Sequence, residues 1–238
     1  PLYTVLLSIG YRLNVPYVWW THALGWVALS AAAITAARMA AHLLPHDRRL
    51  PWAAGLALIG AWHLTWAAVS GMETMLFCMW TLILMSLAWR EFDEADTNLR
   101  AILSRSVIFG VVAALTALTR PEGVMLVGLI GILMLLLRPQ GSLKNVIQWG
   151  VGSGIAFILV LSPYLSFNIA LTGGLLPDTA AAKMAETAFL LQVPYLERLS
   201  TVVYPLIAGV QLLLTPGIVY FVWKLVMRLR RETKAAIY

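Results

Sequence analysis

Apolar residues run through this sequence in long stretches, separated by short breaks of charged, proline or glycine residues. Crossing a hydrocarbon layer of ~30 Å takes about 20 apolar residues in a helix, and stretches near that length recur at about 19–38, 51–69, 72–89, 104–119, 123–137, 146–170 and 201–223. The pattern predicts seven helical spans, preceded by the apolar opening "PLYTVLLSIGYRL". The breaks include "PHDRRL" (45–50), "REFDEADTNLRAILSR" (90–105), "RPEG" (120–123), "RPQGSLK" (138–144), the long segment 172–200 and the tail 224–238. No internal repeat or low-complexity segment interrupts this order. The expected fold is an all-α, polytopic transmembrane bundle.

Composition agrees with this pattern. The chain is 61% hydrophobic and 12% charged, with a mean hydropathy of +0.81, too apolar for a soluble domain that must clothe its core in polar surface. The net charge of +6 would suggest nucleic acid as a partner for a soluble protein. In a membrane protein it is first a topological signal, and no nucleic-acid partner is expected. If the first full span runs outside to inside, the inner side collects thirteen Lys and Arg: Arg38, Arg48, Arg49, Arg90, Arg100, Arg105, Arg138, Lys144, Lys224, Arg228, Arg230, Arg231 and Lys234. The outer side keeps four, Arg12, Arg120, Lys183 and Arg198, so positive charge selects this orientation. The opening stretch then fits a helix lying at or dipping into the outer surface. No cleavable signal is visible, and a chain that begins at Pro1 is expected to be an internal piece of a longer one. The single cysteine, Cys78, allows neither an intrachain disulfide nor a multi-cysteine metal site.

Three outer breaks hold residue types suited to chemistry. "RPEG" places Arg120 and Glu122 between apolar runs too short to reach across the bilayer comfortably, so the turn is expected to be recessed. A recessed arginine needs an anionic partner, and its guanidinium suits phosphate oxygens beside a helix N-terminus. The structural alternative is a Thr119-x-x-Glu122 capping box with Pro121 in the first turn. "SGMETMLF" offers Glu73 for a sugar hydroxyl or a divalent metal, against a Ser70-x-x-Glu73 capping box. "GGLLPDTAAAKMAE" offers Asp178 as a cap or polar contact and Lys183 as a point charge for phosphate, against a lysine that snorkels to the interface. His63 reads as a packing histidine. The mixed charges of 90–105 read as a solvated loop. "GVGSG" lacks a preceding strand, so Gly150 and Gly154 read as a close helix-packing face rather than a nucleotide loop.

Taken in order, "PLYTVLL", "SGMETMLF", "LTRPEG" and "PYLSFNIALTGGLLPDTAAAK" resemble the bacterial GT-C glycosyltransferases, in the branch related to terminal arabinofuranosyltransferases and the protein mannosyltransferase superfamily. The resemblance covers residues 1 to about 185. It implies an integral enzyme of the bacterial plasma membrane with an extracytoplasmic active face, a polyprenyl-phosphate sugar donor, and a glycan, lipid or protein acceptor among membrane lipids. It further implies inverting transfer, with Arg120 and Lys183 on the donor phosphate, Glu73 and Asp178 orienting hydroxyls, and Glu122 holding Arg120. The chain departs from the family pattern at Asp178, often Asn there, at Ala180 and Ala181, often aromatic, and at Asn168, often Arg. The family's catalytic aspartate lies in an outer loop ahead of the "PLY" stretch, so the general base is expected upstream of Pro1 and residues 1–238 alone are expected to be inactive. The resemblance implies no definite cofactor, and a divalent metal is compatible with it. A lipid or solute flippase is the main rival, for which repeats and helices broken at mid-membrane are expected. A non-catalytic membrane subunit is the other.

Overall fold

The computed structural model describes residues 1–43, 45–93, 98–137, 142–174, 185, 188, 192–207, 219–220, 223 and 227. The chain divides into two units, Pro1–Gly173 and Gly174–Tyr238. In the first, the helices are α1 (Leu2–Arg12), α2 (Tyr17–Leu43), α3 (Leu50–Gly60), α4 (Trp62–Val69), α5 (Thr74–Asp93), α6 (Leu99–Thr119), α7 (Glu122–Leu137) and α8 (Leu143–Thr172). In the second, α9 spans Tyr195–Ile207 and carries Glu197 in its first turn, where a carboxylate complements the helix dipole. The rest of the expected span 201–223 lies largely outside the described residues, as does most of 224–238. No strand occurs among the described residues.

Helices α2, α5, α6 and α8 are each long and apolar enough to cross a membrane. Helices α3 and α4 make a fifth span if taken together, bent by 56°, and α7 is a shorter apolar helix of 16 residues. Around α7, Val124, Met125, Leu129, Leu133 and Leu136 are all exposed. Such an apolar exterior is unfavourable in water and costs nothing in lipid, and with the long apolar helices it makes this an integral membrane protein, a polytopic all-α bundle.

The bend replaces the straight span expected at 51–69. Ala61 adopts an extended backbone between the two helices, and the Thr65 hydroxyl donates to the Ile59 carbonyl at 2.7 Å, satisfying a group that the break releases. Gly60 and Ala61 bring no ionisable side chain to the break themselves, and His63 follows two residues on. His63, expected to pack in the interior, is exposed in the first turn of α4, because the face of α4 that packs inward is that of Ala67 and Ala68.

Two apolar clusters hold the first unit together. Ala28, Leu29 and Ala32 of α2 meet Ala68 of α4 and Met75, Leu76 and Met79 of α5, with Leu2, Tyr3 and Leu6 of α1 laid against them. Leu84 and Ala88 of α5, Phe109 and Val112 of α6, Met134 of α7 and Trp149 of α8 form the other. Between apolar helices in lipid, close approach comes from small residues rather than from the hydrophobic effect. At the α6–α8 interface a Cβ on Gly110 would strike the Ser153 carbonyl, and one on Gly152 would strike the Ser106 side chain. Gly150 and Gly154, expected to form the packing face, have nothing within 4 Å of where a Cβ would stand. The inward stripe of α8 is set by Val146, Trp149, Ser153 and Ala156, and at 100° per residue Gly150 and Gly152 flank it on opposite sides while Gly154 turns away; Ser106 of α6 lies on the Gly152 side, which makes Gly152 the close contact.

These contacts run in the same direction along both chains, Phe109 with Trp149 and Gly110 with Ser153 and Ala156, so α6 and α8 are parallel. The end of α8 that contains Asn168 therefore lies at the same end of the unit as Thr119. Pro163 interrupts the α8 ladder, and the Ser162 hydroxyl donates to the Leu159 carbonyl that the proline cannot bond, at 3.1 Å.

Candidate functional site

Proline chemistry shapes the turn between α6 and α7. A residue before proline is driven from the helical region, and Arg120 is accordingly extended (φ −146°, ψ 141°), which ends α6 at Thr119. The chain restarts as helix at Glu122, with the Gly123 and Val124 amides donating to the Arg120 and Pro121 carbonyls at 3.0 Å each. The capping box expected at Thr119 is not formed. Thr119 is buried as the last residue of α6, and its hydroxyl donates backward to the Leu115 carbonyl at 2.7 Å. Arg120 and Glu122 are thus not by-products of that cap.

Gly123 lets the turn close this tightly, since a Cβ there would lie 2.8 Å from the Thr116 carbonyl carbon and 2.9 Å from the Ala117 nitrogen, both backbone atoms unable to yield cheaply. Gly123→Ala is expected to destabilise the protein by about 1–3 kcal/mol and to splay α7 from α6. Thermal unfolding in detergent checks this, and an unchanged midpoint would contradict the turn geometry.

The second stretch resolves in a similar way. Ser70 closes α4, donating to the Ala67 carbonyl at 2.9 Å and accepting from the Met72 amide at 3.4 Å, so it does not cap α5. Gly71, at φ +73°, turns the chain through the left-handed region. Helix α5 consequently starts at Thr74, and Glu73 stands just ahead of it, with its carbonyl accepting from the Phe77 amide at 2.9 Å. The pattern Ser-x-x-Glu falls across a turn, with its glutamate side chain left for other work. Gly71→Ala, with ordinary space around the added carbon, is expected to cost only the ~1–2 kcal/mol of a non-glycine residue in this conformation. A loss much above that would point to a further role for Gly71.

Folding brings these turns together. Arg120 Nε lies 3.5 Å from Glu73 Oε1 and 3.9 Å from Glu122 Oε2, and its guanidinium carbon sits 5.9 Å from the centre of the Phe77 ring. Glu73, assigned above to substrate hydroxyls, is thus also the nearer carboxylate partner of Arg120, and Glu122 the farther. Both contacts, given from Nε, are longer than a charge-assisted hydrogen bond. The three side chains are 27%, 32% and 54% exposed, accessible enough for a ligand to reach and too wet for a strong pair.

The opening helix joins the same end. Trp20 of α2 donates through Nε1 to the Leu6 carbonyl at 2.8 Å and covers Gly10, which fastens α1 over the start of α2. Burial, with Tyr17 and then Glu73 as lesser causes, raises the Tyr3 phenol above its ordinary value, so it remains a hydroxyl donor. Tyr17 lies beside the Gly71 turn. Tyr3 and Tyr17 carry none of the charge that drew attention to the outer breaks, which is why sequence reasoning passed over them. "PLY", "SGMET" and "RPEG" therefore converge, and the parallel course of α8 brings the start of the fourth stretch to the same end. Lys183 and Asp178 lie outside the described residues. Among the described residues no three His, Cys, Asp or Glu side chains are grouped to hold a metal ion.

The sequence is similar to that of a terminal beta-(1→2)-arabinofuranosyltransferase of Corynebacterium glutamicum, with 30% identity over 204 residues. The match covers 79% of this chain and 28% of the relative, so the chain spans well under half the length of that protein. No family profile matches the sequence, and no solved structure matches it.

Proposed function

We propose that this chain forms part of a membrane glycosyltransferase that moves a sugar from a polyprenyl-phosphate donor to an extracytoplasmic glycan, lipid or protein acceptor, with inversion. The observation that carries the reading is Arg120, partly exposed and within ion-pair distance of Glu73 and Glu122 by contacts too long to be charge-assisted hydrogen bonds, at the end where the other stretches meet. Similarity to an arabinofuranosyltransferase supports the reaction class and makes a pentofuranose donor the first to try.

The chemistry follows from charge. The acceptor hydroxyl attacks the anomeric carbon as a carboxylate takes its proton, and the bond from that carbon to the phosphate oxygen breaks with its electrons leaving on phosphate. Phosphate is already a good leaving group, so stabilising the charge it gains matters more than protonating it. Arg120 supplies that stabilisation with Nη1 and Nη2, with Lys183 second. Glu73 and Glu122 keep the guanidinium in place and, with Asp178 and the Tyr3 and Tyr17 hydroxyls, offer partners to sugar hydroxyls.

Purified full-length protein, reconstituted and given labelled polyprenyl-phosphate pentofuranose or hexose, should transfer sugar to an acceptor. Solute or lipid flux in vesicles without transfer would instead establish the flippase. The orientation is tested separately: in a Cys78→Ala background, Met72→Cys and Glu122→Cys should react with an impermeant thiol reagent from outside intact cells, and Arg48→Cys should not. Labelling of Arg48→Cys and Met72→Cys from the same side would overturn the arrangement.

A further inference from the structure

The opposite end of the unit holds a feature that the proposed transfer does not use. Arg38 stands 21 residues along α2 from Tyr17, about 31 Å of helix, which sets it a full hydrocarbon thickness from the Arg120 turn. Two cavities share this one residue. On one side, α2 and α3 enclose a groove of about 620 Å³ with an almost wholly apolar lining, among them Ala33, Ala37, Gly55 and Ile59, with Trp52 and Arg38 at its lip. A Cβ on Gly55 would stand at ordinary contact distance, 3.4 Å from the Ala33 carbonyl and 3.6 Å from the Ala37 Cβ, so α3 lies close against α2 here. On the other side lies a cavity of about 630 Å³ with a mixed lining that includes Arg38, Arg90, His42 and Ser86 beside Ile83, Leu87 and Trp89. His42 meets the edge of Trp89 there, with ring centres 6.1 Å apart.

We infer that this site binds one anionic membrane phospholipid, with an acyl chain in the α2–α3 groove and its phosphate against Arg38. The reasons are complementarity of shape and of charge. An apolar groove that ends at a guanidinium matches a molecule with a hydrocarbon tail and an anionic head, and basic pockets between spans are where such head groups dock. Among the described residues no acidic side chain lines either cavity, and none lies within ion-pair distance of Arg38. Asp47, the carboxylate of the α2–α3 connection, is occupied instead with the Arg49 and Leu50 amides, at 2.8 and 3.3 Å. Arg48 and Arg49 add positive charge beyond the end of the groove. Trp52, 75% exposed at the lip, is the residue type that prefers the head-group layer. This inference stands apart from the proposed transfer and survives if that reading fails.

Native mass spectrometry of the purified full chain in detergent, titrated with dioctanoyl phosphatidylglycerol, tests it. One saturable site is expected, with dioctanoyl phosphatidylcholine binding about tenfold more weakly for want of net head-group charge. Arg38→Gln should weaken phosphatidylglycerol about tenfold and leave phosphatidylcholine unchanged, while Arg38→Lys should retain most of the preference. Ala41→Leu, which narrows the groove from an exposed position, should weaken both lipids together. Equal binding of the two lipids, unsaturable uptake, or unchanged binding in Arg38→Gln would overturn the proposal. Displacement of the lipid by millimolar inorganic phosphate would do so too, by showing a simple anion site. If Arg38→Gln fails to fold, the Arg38→Lys and Ala41→Leu measurements decide alone: joint weakening by Ala41→Leu supports the groove, and no effect removes it.

Discussion

Arg120→Gln in the full-length protein is expected to lower sugar transfer by about a hundredfold or more, the usual scale for losing a preorganised group that stabilises transition-state charge. Arg120→Lys should recover only part of this, because a point charge replaces a planar fork. Stability should barely change. The pairs with Glu73 and Glu122 are long and partly solvated, so their loss is worth less than ~1 kcal/mol once screening is counted. That separation of activity from stability distinguishes a ligand-binding arginine from a structural one. Near-normal turnover, or a large drop in unfolding temperature, would return Arg120 to a structural role. Glu122→Gln, altering the farther and more exposed partner, should have a milder effect than Glu73→Gln.

The reverse result, a loss of stability, is expected at the other end of the same helices. Glu91 of α5 is 2% exposed, and its Oε1 lies 3.3 Å from Nε of Arg105 on α6, whose side chain is 13% exposed. Removing Glu91 takes an ion-pair partner from Arg105 in a largely buried place. Glu91→Ala is therefore expected to cost about 3–5 kcal/mol, read as a large fall in unfolding temperature and poor yield in detergent. Replacing both residues with apolar ones of similar size, Glu91→Leu with Arg105→Met, should restore most of the loss, since no charge is then left buried. A double variant as unstable as the single one would mean that the two side chains act through separate partners. A single variant of normal stability would mean that the pair is solvated in the membrane.

Much of the site was legible as residues but not as a constellation. Arg120, Glu73 and Glu122 stand out because charge is so scarce in this chain, yet both glutamates sit three residues after a Ser or Thr and read equally well as parts of capping boxes. Local pattern cannot choose between these readings, because a cap depends on where the neighbouring helix stops. Pro121 fixes that point for α6, and the left-handed Gly71 delays α5, so in both places the box is dissolved by backbone geometry. Tyr3 and Tyr17 joined the cluster only in three dimensions.

What the sequence determined by itself is the class of fold and the approximate extent of its helices, because burying a backbone in hydrocarbon demands long, internally bonded apolar segments and leaves few alternatives. The expected 72–89, 104–119 and 146–170 became Thr74–Asp93, Leu99–Thr119 and Leu143–Thr172, each longer than the apolar run because polar residues extend a helix beyond the oil. What only the tertiary structure decided is which faces meet. An apolar helix in lipid is hydrophobic on every side, so its sequence carries no stripe that marks the interior, and the choice of Gly152 over Gly150 and Gly154, or the bend at Ala61, rests on how closely backbones can approach one another.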